Sequence, residues 1–131
     1  MPQTLVHDFA DLGDVRLHYV TAGQGPAVVL LHGWPQTWYM WRDIIPGLAA
    51  RYRVIAPDLR GLGDSSRPAV GYDKKTLAQD IWRLVHDVLH EESLFVVGHD
   101  WGSILGTWVV KKFPGKILGK LRVSFSNSAC C

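Results

Sequence analysis

The chain has 131 residues, 47% of them hydrophobic and 20% charged, with a formal net charge of +2. That length holds one domain with a core of its own, and the composition excludes a disordered or fibrous chain. So small a charge leaves no footprint for nucleic acid, and no apolar run reaches the roughly 20 residues that span a bilayer.

No basic-then-apolar leader opens the chain, so a soluble, cytoplasmic protein is expected. The only cysteines, Cys130 and Cys131, are adjacent at the very end. That arrangement suits neither a disulfide framework nor a metal site, and it reads as an unstructured terminus. Basic residues gather only after Val110, where Lys111, Lys112, Lys116, Lys120 and Arg122 meet no acidic neighbour; they read as a helix C-terminus followed by a solvated tail.

Taken in chain order, Val15–Ala22 alternates imperfectly between apolar and polar residues, and Val6–Leu12 is placed to pair with it across Gly13-Asp14. An antiparallel hairpin is the expected start. Gly23-Gln24-Gly25-Pro26 breaks the pattern before Ala27–Leu31, an unbroken apolar run suited to a parallel strand covered on both faces. The strand ends in His32-Gly33-Trp34-Pro35. Beyond it Trp38, Trp41, Ile44, Ile45 and Leu48 keep a helical spacing that has to tolerate Pro46 and Gly47.

Tyr52–Ala56 is a second β-rich run, opening onto the glycine-punctuated loop Asp58–Ser66. Helix resumes near Lys75, where Leu77, Ile81, Leu84, Val85, Val88 and Leu89 recur at intervals of three and four. This is the clearest amphipathic pattern in the chain. Leu94–His99 is again strand-like and ends in Gly98-His99-Asp100-Trp101-Gly102, after which Ile104, Leu105, Trp108 and Val109 carry a helical stripe as far as Pro114-Gly115. Leu121–Phe125 is a candidate for one further strand, although Lys120 and Arg122 suit a buried strand poorly. The succession of a hairpin and then strand–helix units predicts an α/β architecture with a mostly parallel sheet. A core over residues 1–114 and a divergent tail over 115–131 are expected.

The pentapeptide at 98–102 carries the chemistry. Strand, tight turn and helix around Gly-x-Asp-x-Gly form the context of a nucleophile elbow, with a carboxylate where serine enzymes place the hydroxyl. A carboxylate is ionised near neutral pH without help from a base, so Asp100 suits displacement at a saturated carbon, in an epoxide or an alkyl halide. The competing reading has Asp100 as an ordinary helix N-cap. His32 and His99 read as packed or hydrogen-bonded histidines, and Asp58 as a structural loop residue. Gly61-Leu62-Gly63 lacks the Lys-Ser/Thr of a phosphate loop, so nucleotide binding is not expected, and no cofactor or metal is expected either.

Three motifs in order, His-Gly-Trp-Pro at 32–35, Asp-Leu-Arg-Gly-x-Gly-x-Ser at 58–65 and Gly-His-Asp-Trp-Gly at 98–102, together resemble the amino-terminal half of an α/β-hydrolase-fold epoxide hydrolase. Haloacid and haloalkane dehalogenases are near relatives. The resemblance implies that Asp100 is the nucleophile, forming a covalent alkyl-enzyme ester, and that the backbone N–H groups of Trp34 and Trp101 form the oxyanion hole. It implies a small hydrophobic epoxide, or a halide, as substrate. Trp after His-Gly, where haloalkane dehalogenases usually carry Asn, favours the epoxide.

The resemblance also implies parts that lie later in the family's chain: the water-activating His, its acidic partner, and the cap tyrosines. The histidines here are His7, His18, His32, His86, His90 and His99, and the tyrosines Tyr19, Tyr39, Tyr52 and Tyr72, of which Tyr39 and Tyr72 are the candidates to reach the cleft. The chain therefore reads as a fold truncated before its cap and C-terminal strands, with little or no turnover expected from it alone. A sheet edge left open on the elbow side would favour self-association. A non-catalytic binding or structural fragment is the remaining alternative.

Overall fold

The computed structural model describes residues 4–123. Its centre is a six-stranded sheet in the order β1-β2-β4-β3-β5-β6. The hairpin opens it: β1 (Val6–Asp11) pairs antiparallel with β2 (Arg16–Ala22), with Val6 opposite Thr21 and Asp11 opposite Arg16. Strand β2 in turn lies antiparallel to β4 (Arg53–Pro57), and from there the sheet is parallel, through β3 (Ala27–Leu31) and β5 (Leu94–His99) to β6 (Ile117–Val123).

The unbroken apolar run of β3 is explained by its central place, with all five residues buried. Because side chains alternate across a strand, Val29 and Leu31 enter one core with Leu17, Ile55, Leu77, Ile81, Leu105 and Val109. Val28 and Leu30 enter the other with Val20, Trp41, Ile45 and Val54. The first core is covered by α2 (Lys74–Trp82), its π-helical continuation Arg83–Val88, and α3 (Trp101–Lys112).

The structure departs from the sequence reading at two elements. The helix expected over Trp38–Leu48 is a 3-10 turn at Trp38–Trp41 followed by a single-turn helix α1 at Ile45–Ala49. Proline lacks the N–H a continuous helix needs, so Pro46 occupies the first turn of a fresh helix instead of the interior of a long one. The last strand covers Ile117–Val123, four residues earlier than Leu121–Phe125; residues 124–125 lie outside the described range, as do Cys130 and Cys131. It pairs with β5 on the side away from β3, so the sheet passes Pro114, and among the described residues β6 is the last strand on that side. Lys120 is no obstacle there, because it is exposed and its ammonium bonds the Thr107 hydroxyl. Leu118 and Leu121 are also more than half exposed.

No described helix is long and apolar enough to cross a membrane.

Candidate active site

Strands β3 and β5 run side by side in parallel, with Leu31 opposite Gly98. Their carboxyl ends therefore deliver the His32–Gln36 turn and the 98–102 elbow to one place, where ligands bind in open α/β sheets. The elbow is tight in the literal sense. A Cβ on Gly98 would come within 2.5 Å of the Gly102 carbonyl oxygen, and one on Gly102 would overlap the Leu31 carbonyl oxygen. Only glycine lets strand, turn and helix close on one another here.

Asp100 sits at the apex with φ 57° and ψ −119°, a backbone that a non-glycine residue adopts at a cost on the order of 1–3 kcal/mol. Its side chain is exposed and makes no capping bond to α3, although it occupies the N-cap position. An ordinary N-cap has extended backbone and a side-chain oxygen on the N2 or N3 amide, so the competing reading loses its geometric basis. The carboxylate instead lies over the Gly33 backbone: a Cβ there would fall 2.6 Å from Asp100 Cβ and 2.7 Å from Oδ2. The N-terminus of α3, whose first N–H groups have no partner one full turn back within the helix, favours negative charge at this spot.

Trp101 opens α3, so its N–H is one of those donors. Trp34 follows Gly33 in a turn closed by the Gln36 N–H on the Gly33 carbonyl at 2.8 Å, with a cis Trp34–Pro35 bond. The two indoles, 63% and 42% exposed, line one cavity of about 470 Å³ together with Leu59, Leu62, Tyr72, Leu77, Arg60 and Arg67. Asp100 does not itself line that cavity; its neighbour Trp101 does. The Lys74 ammonium stands 4.6 Å from the centre of the Trp101 ring. Of the two candidate tyrosines only Tyr72 reaches the cavity, and its hydroxyl donates to the Pro68 carbonyl at 2.6 Å.

The remaining motif residues form the scaffold of the cleft. Asp58 is fully buried and accepts from the Trp38 N–H at 2.8 Å, the Asp64 N–H at 3.0 Å and the His18 ring at 2.8 Å. His18, Asp58 and Asp64 offer atoms within 4.8 Å of one another, a spacing a cation could use. Both Asp58 oxygens are already taken by N–H donors, however, and the cluster works as a clamp between β2, the Asp58 loop and the turn before Trp38. His32, also fully buried, donates from Nδ1 to the Gly33 carbonyl at 2.7 Å and accepts at Nε2 from the Leu59 N–H at 3.0 Å. Both of its nitrogens are committed, so it anchors the loop and activates no water.

That pairing carries a pH consequence. Burial pushes the His32 pKa below its ordinary 6.5, and a protonated ring would set an N–H against the Leu59 N–H. Below pH 6.5 the unfolded chain takes up a proton that the folded one refuses, so stability falls as pH drops through that window. Urea midpoints between pH 7.5 and 5 should decline in the parent chain and decline less steeply in His32→Gln; parallel slopes would disprove the assignment.

Comparison with known proteins agrees with this geometry. A family model described as the alpha/beta hydrolase fold matches residues 26–119, and the chain belongs to that family, corresponding to the amino-terminal part of the fold. Among curated relatives, the soluble epoxide hydrolase of Corynebacterium sp. (strain C12) is 53% identical over 103 residues, which is 79% of this chain and 36% of that enzyme. Epoxide hydrolase B of Mycobacterium tuberculosis is 41% identical over 126 residues, 91% of this chain and 35% of the relative. Of solved structures, the epoxide hydrolase CorEH without ligand superposes with a TM-score of 0.87 at 44% identity over 91% of this chain and 42% of its own. A Vigna radiata epoxide hydrolase gives 0.87 at 34% identity over 92% and 39%. The chain thus spans well under half the length of these relatives.

Proposed function

We propose that this chain supplies the nucleophile and oxyanion donors of an epoxide hydrolase. An Asp100 carboxylate oxygen attacks an epoxide carbon, the ring C–O bond breaks with its electron pair going to the former epoxide oxygen, and that oxygen takes a proton from water. The product is an ester between Asp100 and the opened substrate. The N–H groups of Trp34 and Trp101 would hold the oxyanion formed when the ester is later cleaved, a role in which losing one donor typically costs about 10²–10³ in rate. The apolar lining from Leu59, Leu62, Leu77 and the two indoles suits a small hydrophobic substrate. The displacement as written uses only the carboxylate and the epoxide.

The observation that carries the reading is the strained, exposed carboxylate of Asp100, uncapped and set against the Gly33 turn. Kinship to epoxide hydrolases makes the epoxide the first choice of electrophile. Incubation with excess styrene oxide, followed by peptide mass spectrometry, should find one equivalent of adduct on Asp100 and none in Asp100→Asn. Because His32 is committed to structure, the ester should accumulate instead of turning over. An unmodified Asp100 after prolonged incubation would refute the proposal, and a halide-releasing adduct from an alkyl bromide, with none from the epoxide, would move it to a dehalogenase.

A further inference from the structure

Gln36 belongs to none of the motif positions, yet its side-chain oxygen is a junction. Oε1 accepts from the Gly33 N–H at 3.0 Å while the Gln36 N–H donates back to the Gly33 carbonyl at 2.8 Å. The same oxygen lies 3.3 Å from His99 Nδ1. One atom therefore ties the turn after β3 to the last residue of β5, the residue immediately before Asp100. The Gly33 N–H identifies that atom as the amide oxygen, and an amide oxygen only accepts, so His99 carries its proton on Nδ1.

The junction lies at the contact that matters for the chemistry. A Cβ on Gly33 would meet Asp100 Oδ2 at 2.7 Å and Gln36 Oε1 at 2.9 Å, so the carboxylate and the amide both crowd the space beside the same glycine. Gly33 precedes Trp34, whose N–H is the proposed oxyanion donor. Any drift of this turn moves the donor relative to Asp100 directly, with no intervening side chain to absorb it. Oxyanion stabilisation depends on donors held in place before the charge develops.

We infer that Gln36 is a positioning residue: through its Oε1 it fixes the Trp34 N–H against Asp100, acting on cleavage of the Asp100 ester more than on its formation. The inference rests on the proposed nucleophilic role of Asp100 and adds the group that sets its geometry. The two steps differ in what they ask of the turn. Alkylation spreads the carboxylate charge onto the departing epoxide oxygen, whereas attack on the ester carbonyl builds a new oxyanion, the charge that the Trp34 N–H is proposed to hold.

Hydroxylamine separates the steps without a histidine base. Its nitrogen attacks the Asp100 ester carbon, the bond to the alkyl oxygen breaks, that oxygen takes a proton from the attacking nitrogen, and a diol leaves behind an Asp100 hydroxamate. Adducts formed with styrene oxide on the full chain would be treated with hydroxylamine and followed by intact mass. In Gln36→Ala and Gln36→Asn, which remove the acceptor or its reach, cleavage should slow by about tenfold more than formation does, a fraction of the 10²–10³ lost when a donor is deleted outright. Gln36→Glu keeps an acceptor oxygen at the same reach and should restore most of the loss. Equal slowing of both steps, or no rescue by Gln36→Glu, overturns the inference. Absence of any adduct on the parent chain would defeat the nucleophile reading instead, and the ring ¹⁵N shifts of His99 then decide. Those shifts should lose their Nδ1–H character in Gln36→Ala and keep it in Gln36→Glu, and a spectrum unchanged in Gln36→Ala overturns the inference.

Discussion

Asp80→Ala should destabilise the chain by about 3–5 kcal/mol, the usual cost of leaving one partner of a buried ion pair uncompensated. Arg60 and Asp80 have side chains only 2% exposed and meet through two hydrogen bonds, Nε to Oδ2 and Nη2 to Oδ1, both 2.9 Å. Asp80 holds the Arg60 pKa above even its ordinary value. With the carboxylate gone, the buried guanidinium would keep, among the described residues, the Val70 carbonyl at 2.9 Å and Asp14 at 2.8 Å. Asp14 is a weaker substitute because its side chain is 55% exposed, and exposed ion pairs contribute at most about 1 kcal/mol.

The comparison with Asp14 sharpens the test. Asp14→Ala should cost under about 1 kcal/mol, since its own carboxylate is more than half exposed and water screens the ion pairs it makes with Arg60 and Arg83. Its carboxyl, held at about 2 chiefly by the Arg60 side chain and then by Arg83, contributes stability that is complete above its ordinary 3.8 and disappears as pH falls through 2. Exchanging both buried partners for apolar residues of like size, as in Arg60→Met with Asp80→Leu, should recover most of the loss, because Arg83, which also bonds Asp80, keeps Asp14 and the Leu12 carbonyl. Urea midpoints at pH 7 for the three variants give the ordering directly; Asp80→Ala no worse than Asp14→Ala would show that the pair is dispensable. Arg60 also lines the cavity beside Trp34 and Trp101, so the same network that stabilises the fold holds a wall of the cleft.

The contrast between Asp80 and Asp100 shows what a sequence exposes and what it hides. The strand, turn and helix around Asp100 are legible because the signal is local: the glycines at 98 and 102 and the flanking apolar runs all lie within a few residues. Asp80 reads in sequence as a polar residue on an amphipathic helix, and nothing near it announces Arg60, twenty residues away on a loop. Gln36 escaped notice for the same reason, since its partner His99 is separated from it by 63 residues. The fold follows the same rule. Ala27–Leu31 and Leu94–His99 declare themselves by apolar runs, as buried parallel strands do, whereas β6 interrupts its apolar residues with Gly119, Lys120 and Arg122, which give no periodicity to read. Pro46 was visible all along, and its weight against a continuous helix is a backbone rule that the apolar spacing of Trp41, Ile45 and Leu48 masked.

Gly102→Ala should be the other severe substitution, costing about 3 kcal/mol or more, at or beyond the upper end of the range for overpacking. The added methyl would overlap the Leu31 carbonyl oxygen and lie 2.5 Å from the Leu31 carbonyl carbon and 2.7 Å from the His32 carbonyl oxygen. These are backbone atoms in the central strand and the turn after it, and neither can rotate aside. Helix propensity pulls the other way, since alanine is favoured over glycine by about 1 kcal/mol inside a helix, so a loss measures how firmly α3 is seated on the end of β3. Gly47→Ala is the matched control: it is also helical, its Cβ would meet nothing within 4 Å, and it should be neutral or stabilising by up to about 1 kcal/mol. The thermal midpoint of Gly102→Ala should therefore fall while that of Gly47→Ala stays level or rises. If Gly102→Ala melts with the parent, α3 can slide away from β3 without penalty, and the fixed apposition of Asp100 and the Gly33 turn loses its mechanical basis.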